Sequence, residues 1–166
     1  AVRSAVPGAD DTVDVSGQLT VRGIKFDWLK VEPPAIAVPR AWLANTARVM
    51  TEEEQLNVIR TGKFADGQLW DPLETVLVES QSPSPLSAGS SRGTAEVIRR
   101  EPNRVEVKTN SETPAILVLA ENHYPGWRAY VDEQPVEVMR VNYNLRAVPV
   151  PAGNHLVQFV YRPKSV

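Results

Sequence analysis

The second half of the chain is a series of short apolar-rich runs separated by turn residues. Thr94–Arg100 and Arg104–Thr109 alternate apolar with charged residues, as strands with one solvated face do. Ala115–Ala120 is apolar at every position, which is typical of a central strand. Four more runs follow, at Trp127–Asp132, Val136–Arg140, Arg146–Val150 and Leu156–Tyr161. Strands this short, with turn signals between them, predict an antiparallel sandwich of jelly-roll type over residues 94–163.

The first half predicts a small strand–helix–strand unit over residues 38–80. The run from Pro39 to Met50 has the composition of a strand. Thr51 and Glu54 have the spacing of a capping box, which predicts that a helix begins there. A buried strand is predicted at Thr75–Glu79, where apolar residues predominate.

The remaining segments are predicted to connect or flank these units. Residues 1–37 combine a polar leader with two short strand-like runs. Residues 81–93 are rich in Ser, Pro and Gly and predict a linker. We therefore expect a mainly β protein, with an α/β unit preceding a sandwich that resembles carbohydrate-binding modules.

Composition excludes several classes of protein. The 18 basic and 20 acidic residues are mixed along the chain and give a net charge of −2, so no basic stripe indicates nucleic-acid binding. The absence of cysteine rules out disulfides and thiolate metal sites. The longest apolar run, Ala115–Ala120, is far below the ~20 residues that span a bilayer.

No catalytic motif stands out. The two histidines, His123 and His155, have no ligand-spaced partners, and we expect ordinary turn roles for both and no metal site. Gly89–Gly93 has the wrong glycine spacing for a nucleophile elbow. We predict no catalytic residue and no cofactor, although carboxylate pairs leave a glycosidase-like site open because their separation is a spatial quantity.

Several turn motifs carry a resemblance to a known family. Tyr124-Pro125-Gly126-Trp127 opens one strand, Arg146–His155 reads RAVPVPAGNH, and Val157–Pro163 reads VQFVYRP. Together they resemble the C-terminal extracytoplasmic domain of the bacterial polytopic membrane proteins called YfhO. The resemblance is closest over residues 113–163, and Pro39–Trp42 is similar to a strand start of the same family.

The resemblance implies a part of a larger membrane protein. YfhO proteins look like lipid-linked-sugar glycosyltransferases whose reactive residues lie in a membrane-embedded part upstream. This segment would then be non-catalytic, would lie on the extracytoplasmic face of a bacterial membrane, and would have the membrane-embedded remainder of its own polypeptide as a partner. A final membrane helix is usual after the closing motif, so residues 164–166 would be an end trimmed before that helix.

One position departs from the family. Glu133 follows Asp132 where YfhO proteins usually have Gly. A two-residue type I′ turn favours Gly there, so we expect a longer turn or one of another type.

A candidate glycan patch combines aromatic rings with hydrogen-bonding groups. Alternation along the strand predicts that Trp127 faces the core while Arg128 and Tyr130 face outward, where a ring suits the apolar face of a sugar. The complete candidate set is Tyr124, Arg128, Tyr130, Asp132, Asn142, Tyr143 and Arg146. Two other interpretations remain: the turn residues pack against each other, or they contact the membrane-embedded part.

Three functions therefore stay open at this point. The first is a domain that positions a glycan or a cell-envelope polymer for a membrane glycosyltransferase. The second is a stand-alone secreted carbohydrate-binding or adhesion module. The third is a structural domain without a ligand. Glycan binding that is lost on Tyr130→Ala would separate the first two from the third.

Overall fold

The computed structural model describes residues 12–13, 18–21, 24–27, 39–81, 86 and 93–165. The chain divides into two compact units, 1–38 and 39–166. In the first unit, strands β1 (Thr12–Val13), β2 (Gln18–Val21) and β3 (Ile24–Asp27) form an antiparallel sheet in the order β1-β2-β3. The predicted polar leader, and most of the predicted linker over 81–93, lie outside the described residues.

The second unit contains one helix and eleven strands among its described residues. The elements are β4 (Ala41–Ala44), β5 (Thr46–Val49), α1 (Glu52–Thr61), β6 (Thr75–Val78), β7 (Thr94–Glu101), β8 (Arg104–Ser111), β9 (Ala115–Asn122), β10 (Trp127–Val131), β11 (Gln134–Val136), β12 (Met139–Val141), β13 (Leu145–Val150) and β14 (Gly153–Tyr161).

Two antiparallel sheets pack face to face. One has five strands in the order β11-β10-β14-β8-β7, and the other has four in the order β12-β13-β9-β4. Their facing sides share one apolar core, which includes Leu43, Val107, Leu117, Val148 and Phe159. The mainly β class and the sandwich are therefore confirmed.

A third layer covers the other face of the four-stranded sheet. Strands β5 and β6 pair in parallel and are connected through α1. Val76 and Val78 of β6 pack against Trp42, Ile116 and other residues of that sheet. Strand β9 is thus covered on both faces, which explains why its run is apolar at every position.

The helix begins where its sequence predicts. The Thr51 side chain accepts a hydrogen bond from the Glu54 N–H at 3.2 Å, and the Glu54 carboxylate accepts one from the Thr51 N–H at 2.8 Å. Gly62 ends the helix in the left-handed region at φ 70°.

Two predicted strands are wrong, because each is divided between two sheets. The run 39–50 is interrupted at Asn45, so that β4 joins the sandwich by pairing with β9 while β5 pairs with β6. The run Val136–Arg140 is divided in the same way between β11, in the five-stranded sheet, and β12, in the four-stranded sheet. Alternation shows that a segment is extended but does not specify its partner strand.

The prediction for the turn after β10 is also wrong. Val131 pairs with Gln134, so only Asp132 and Glu133 lie between the strands, with φ of 48° and 69°. Two positive φ values define a type I′ turn without glycine. The Asp132 carboxylate holds this turn, since it accepts a hydrogen bond from the Leu156 N–H at 2.9 Å.

Candidate functional site

Three aromatic rings cluster at the end of the sandwich where β10 begins and β14 ends, which we call the aromatic end. The Tyr124 ring centroid lies 6.1 Å from that of Trp127 and 5.5 Å from that of Tyr161, both in edge-on geometry. Trp127 and Tyr161 are 5.4 Å apart. Trp127 is buried, as alternation predicts, whereas Tyr124 is 44% exposed. One ring of a rigid cluster is thus presented to solvent.

A glycine shapes the loop that carries Tyr124. Gly126 has φ 106°, and a Cβ atom at this position would lie 2.6 Å from the Tyr161 ring. The Gly126 carbonyl accepts a hydrogen bond from the Arg162 N–H at 2.7 Å. Only glycine therefore allows the loop to approach β14 this closely.

An arginine lies beneath the rings. Arg146 shares the inward face of β13 with Val148 and Val150, and its side chain is only 2% exposed. Its guanidinium carbon lies 3.7 Å from the centroid of the Trp127 ring, in cation–π geometry. Burial lowers the pKa of the guanidinium, and the Glu121 carboxylate opposes this shift.

Glu121 is the carboxylate on which the arginines converge. It pairs with Arg146 through Oε2 and accepts a hydrogen bond from Arg100 Nε at 3.1 Å through Oε1, while Arg40 lies at 4.0 Å. The Glu121 side chain is 18% exposed. Three guanidiniums against one carboxylate leave this cluster positively charged.

Three buried donors beside these groups have no protein acceptor in the part of the chain that the structure describes. They are Nε and Nη1 of Arg146 and Nε1 of Trp127. Buried donors usually have a partner, either protein or water. The interior of the aromatic end is therefore polar as well as aromatic.

The other candidate residues on β10 lie elsewhere. Arg128 is exposed, and Tyr130 is half-buried, on the face of β10 opposite to Trp127. Asp132 lies in the turn at the opposite end of the sandwich, where its Oδ2 is 2.5 Å from His155 Nδ1. Of the seven candidates, Tyr124 and Arg146 meet around Trp127. Arg128, Tyr130 and Asp132 lie apart from them.

Asn142 and Tyr143 connect the sandwich to the third layer. The Asn142 N–H donates to the Leu77 carbonyl, and the Asn142 Oδ1 accepts from the Leu77 N–H, both at 2.8 Å. The Tyr143 N–H donates to Oε1 of Gln55, whose amide also donates to the Met50 carbonyl. These buried hydrogen bonds indicate a structural role.

Sequence reasoning missed four members of the aromatic end: Glu121, Arg40, Arg100 and Tyr161. A signal was present for two of them. Glu121 continues the inward face of Leu117 and Leu119, and Tyr161 continues that of Phe159. An acidic residue on an inward face predicts a buried cationic partner, but the sequence does not say which one.

Neither histidine belongs to a metal cluster within the described residues. Burial, followed by the charges of Arg140 and Arg146, lowers the pKa of His123. The hydrogen bond to Asp132 raises the pKa of His155, and the Ala152 carbonyl, 2.9 Å from Nε2, adds to this effect. His155 therefore binds the turn before β14 to the turn after β10.

The fold and this end define a class: an antiparallel β-sandwich domain with an aromatic and arginine-rich end. Within the described residues, no helix is long and apolar enough to cross a bilayer. Residues 89–166 match the family model of the bacterial membrane protein YfhO, which confirms the resemblance of the turn motifs in this part of the chain. No curated protein and no solved structure matches the chain.

Proposed function

We propose that the chain is an extracytoplasmic, non-catalytic domain of a membrane-tethered, glycosyltransferase-like protein, and that the aromatic end positions a glycan or polymer acceptor. The observation that carries this proposal is the exposed ring of Tyr124 above a cluster of arginines. The family match to a membrane protein supports the tether.

The geometry suits a sugar for two reasons. Exposed aromatic rings accept the apolar face of a pyranose, and Trp127 and Tyr161 hold the Tyr124 ring in place by edge contacts, so little ordering entropy is lost on binding. Arg100 and Arg40, each about half exposed, contact the same Glu121 carboxylate as Arg146 and can donate hydrogen bonds to sugar hydroxyls.

A non-catalytic role is supported by the contacts of Glu121, the one carboxylate that the described residues bring to this cluster. Both oxygens of Glu121 face arginines. A general acid or base needs an oxygen free to exchange a proton with the substrate. Glu121 instead serves as the counter-ion of Arg146.

A titration with cell-envelope glycans and polymer fragments, followed by NMR, tests the sugar contact. Tyr124→Ala should weaken binding by about five- to thirtyfold, since one stacked ring contributes ~1–2 kcal/mol. Tyr124→Phe should retain most of the affinity. Tyr130→Ala is the matched control, because Tyr130 lies on the other face of β10 and should leave binding unchanged.

Two results would contradict this function. If Tyr124→Ala binds as tightly as the unaltered chain, the ring does not contact the ligand. If no envelope glycan binds at all, the domain is structural. The tether is tested separately: membrane spans in the same reading frame, and cleavage of this domain by protease added outside intact cells, are the expected results.

A further inference from the structure

A second surface lies beside the aromatic end and has a different composition. It is a groove of about 350 Å³ between the loop that precedes β10 and the segment that follows β14. Trp127 and Gly126 line it together with three basic and two proline side chains: Arg128, Arg162, Lys164, Pro125 and Pro163. We call it the basic groove.

Among the described residues, no carboxylate pairs with the cations of the basic groove. Seven of the ten arginines in the described residues have a carboxylate within 4.0 Å, namely Arg40, Arg48, Arg99, Arg100, Arg104, Arg140 and Arg146. Arg128 and Arg162 do not, and neither does Lys164, as far as the described residues show. All three are exposed, and none of the described residues that line the groove is acidic.

The charge of the sandwich is also polarised along its length. Two turns at the opposite end carry Glu112, Asp132 and Glu133, and His155 lies within hydrogen-bond distance of Asp132. A positive groove at one end and carboxylates at the other would orient the domain in the field of a negatively charged surface.

We propose that the basic groove binds the anionic headgroups of a phospholipid bilayer and sets this end of the domain against the membrane. Three exposed cations gathered in one groove have the charge of protein segments that lie against anionic headgroups. The match to a membrane-protein family supports a bilayer rather than a soluble anion as the occupant. This inference does not depend on the glycan contact of Tyr124.

Co-sedimentation with lipid vesicles tests this inference. The chain should bind vesicles of phosphatidylcholine containing a quarter of phosphatidylglycerol, should not bind pure phosphatidylcholine, and should be released at high salt. Arg128→Gln combined with Arg162→Gln should weaken binding about 25-fold, since each cation near an anionic surface contributes about fivefold.

Arg60→Gln combined with Lys63→Gln is the matched control, since it removes the same charge from two exposed side chains at the end of the helix. It should change vesicle binding by less than about twofold if the groove, rather than net charge, is recognised. Tyr124→Ala should also leave vesicle binding intact, which separates this site from the glycan site.

Three results would overturn the inference. One is equal binding to vesicles with and without phosphatidylglycerol. Another is an equal loss in the groove variant and the control variant, with both still folded by circular dichroism. The third is saturable binding of inorganic phosphate that fully displaces the chain from vesicles, which would assign the groove to a soluble anion.

Discussion

Glu121→Gln, which replaces one carboxylate oxygen by an amide nitrogen, should destabilise the chain strongly for so conservative a substitution. It removes the negative charge next to Arg146 while keeping the shape of the side chain, so a guanidinium that is 2% exposed loses its counter-ion. Breaking a buried pair in this way costs about 3–5 kcal/mol. The value should be near the lower limit, about 3 kcal/mol, because Glu121 is 18% exposed and the Trp127 ring remains below the cation.

Urea unfolding followed by tryptophan fluorescence measures this cost, and a melting temperature lower by about 10 °C should accompany it. Glu101→Gln is the matched control, because its pair with Arg99 is about half exposed on both sides and should contribute less than about 1 kcal/mol. Arg146→Met should cost less than Glu121→Gln, because Glu121 keeps Arg100 as a partner while Met fills the apolar space beside Trp127.

The order of these three unfolding free-energy losses shows whether charge compensation or packing stabilises the aromatic end. If Glu121→Gln costs no more than Glu101→Gln, then Arg146 does not depend on its carboxylate and the buried ion pair has no energetic role. If Arg146→Met costs more than Glu121→Gln, then packing against the indole, rather than charge compensation, dominates this end of the sandwich.

Three further outcomes are expected from single sites. Hydrogen bonding raises the pKa of His155 and lowers that of Asp132, so the stability that this pair contributes should be fully present between about pH 4 and pH 6.5. It should be lost as the pH rises through the raised pKa of His155 or falls through the lowered pKa of Asp132. Urea unfolding midpoints measured against pH test this, and His155→Gln should remove the loss on the alkaline side. Asn142→Ala leaves the buried N–H of Leu77 without its acceptor and should lower the free energy of unfolding by about 2 kcal/mol in the same assay. A loss below about 0.5 kcal/mol would contradict a stabilising role for this hydrogen bond. Glu133→Gly should raise stability by about 0.5–1 kcal/mol, because φ 69° strains a residue with a Cβ atom, and a lower melting temperature would refute the type I′ assignment.

Strand positions and facing could be predicted from the sequence where one face of a strand is buried. Alternation placed Trp127 in the core and Arg128 in solvent, and both are confirmed. The capping residues Thr51 and Glu54 defined the helix start, since their hydrogen bonds are local. These features depend on neighbours only a few residues away along the chain.

The aromatic end could be predicted only in part, because its contacts join distant strands. Arg146 was expected in a surface patch, yet it shares the inward face of Val148 and meets Glu121 across the β9–β13 pairing. That meeting depends on register and on the bulge between Leu145 and Arg146, which no single-strand pattern specifies. The split at Asn45 was missed for the same reason.

Strand β4 has a consequence for how this protein is made. Leu43 pairs with Leu117, so β4 is synthesised roughly seventy residues before its partner strand β9. At ribosomal rates the synthesis of those residues takes about 4–14 s. During that interval Leu43 lacks the core residues of β9, β13 and β14 that cover it in the folded sandwich. A fragment that begins at residue 89, where the family match starts, would lack β4 altogether and leave one edge of β9 unpaired. Such an edge favours aggregation, so the sandwich must be synthesised with the segment that precedes it.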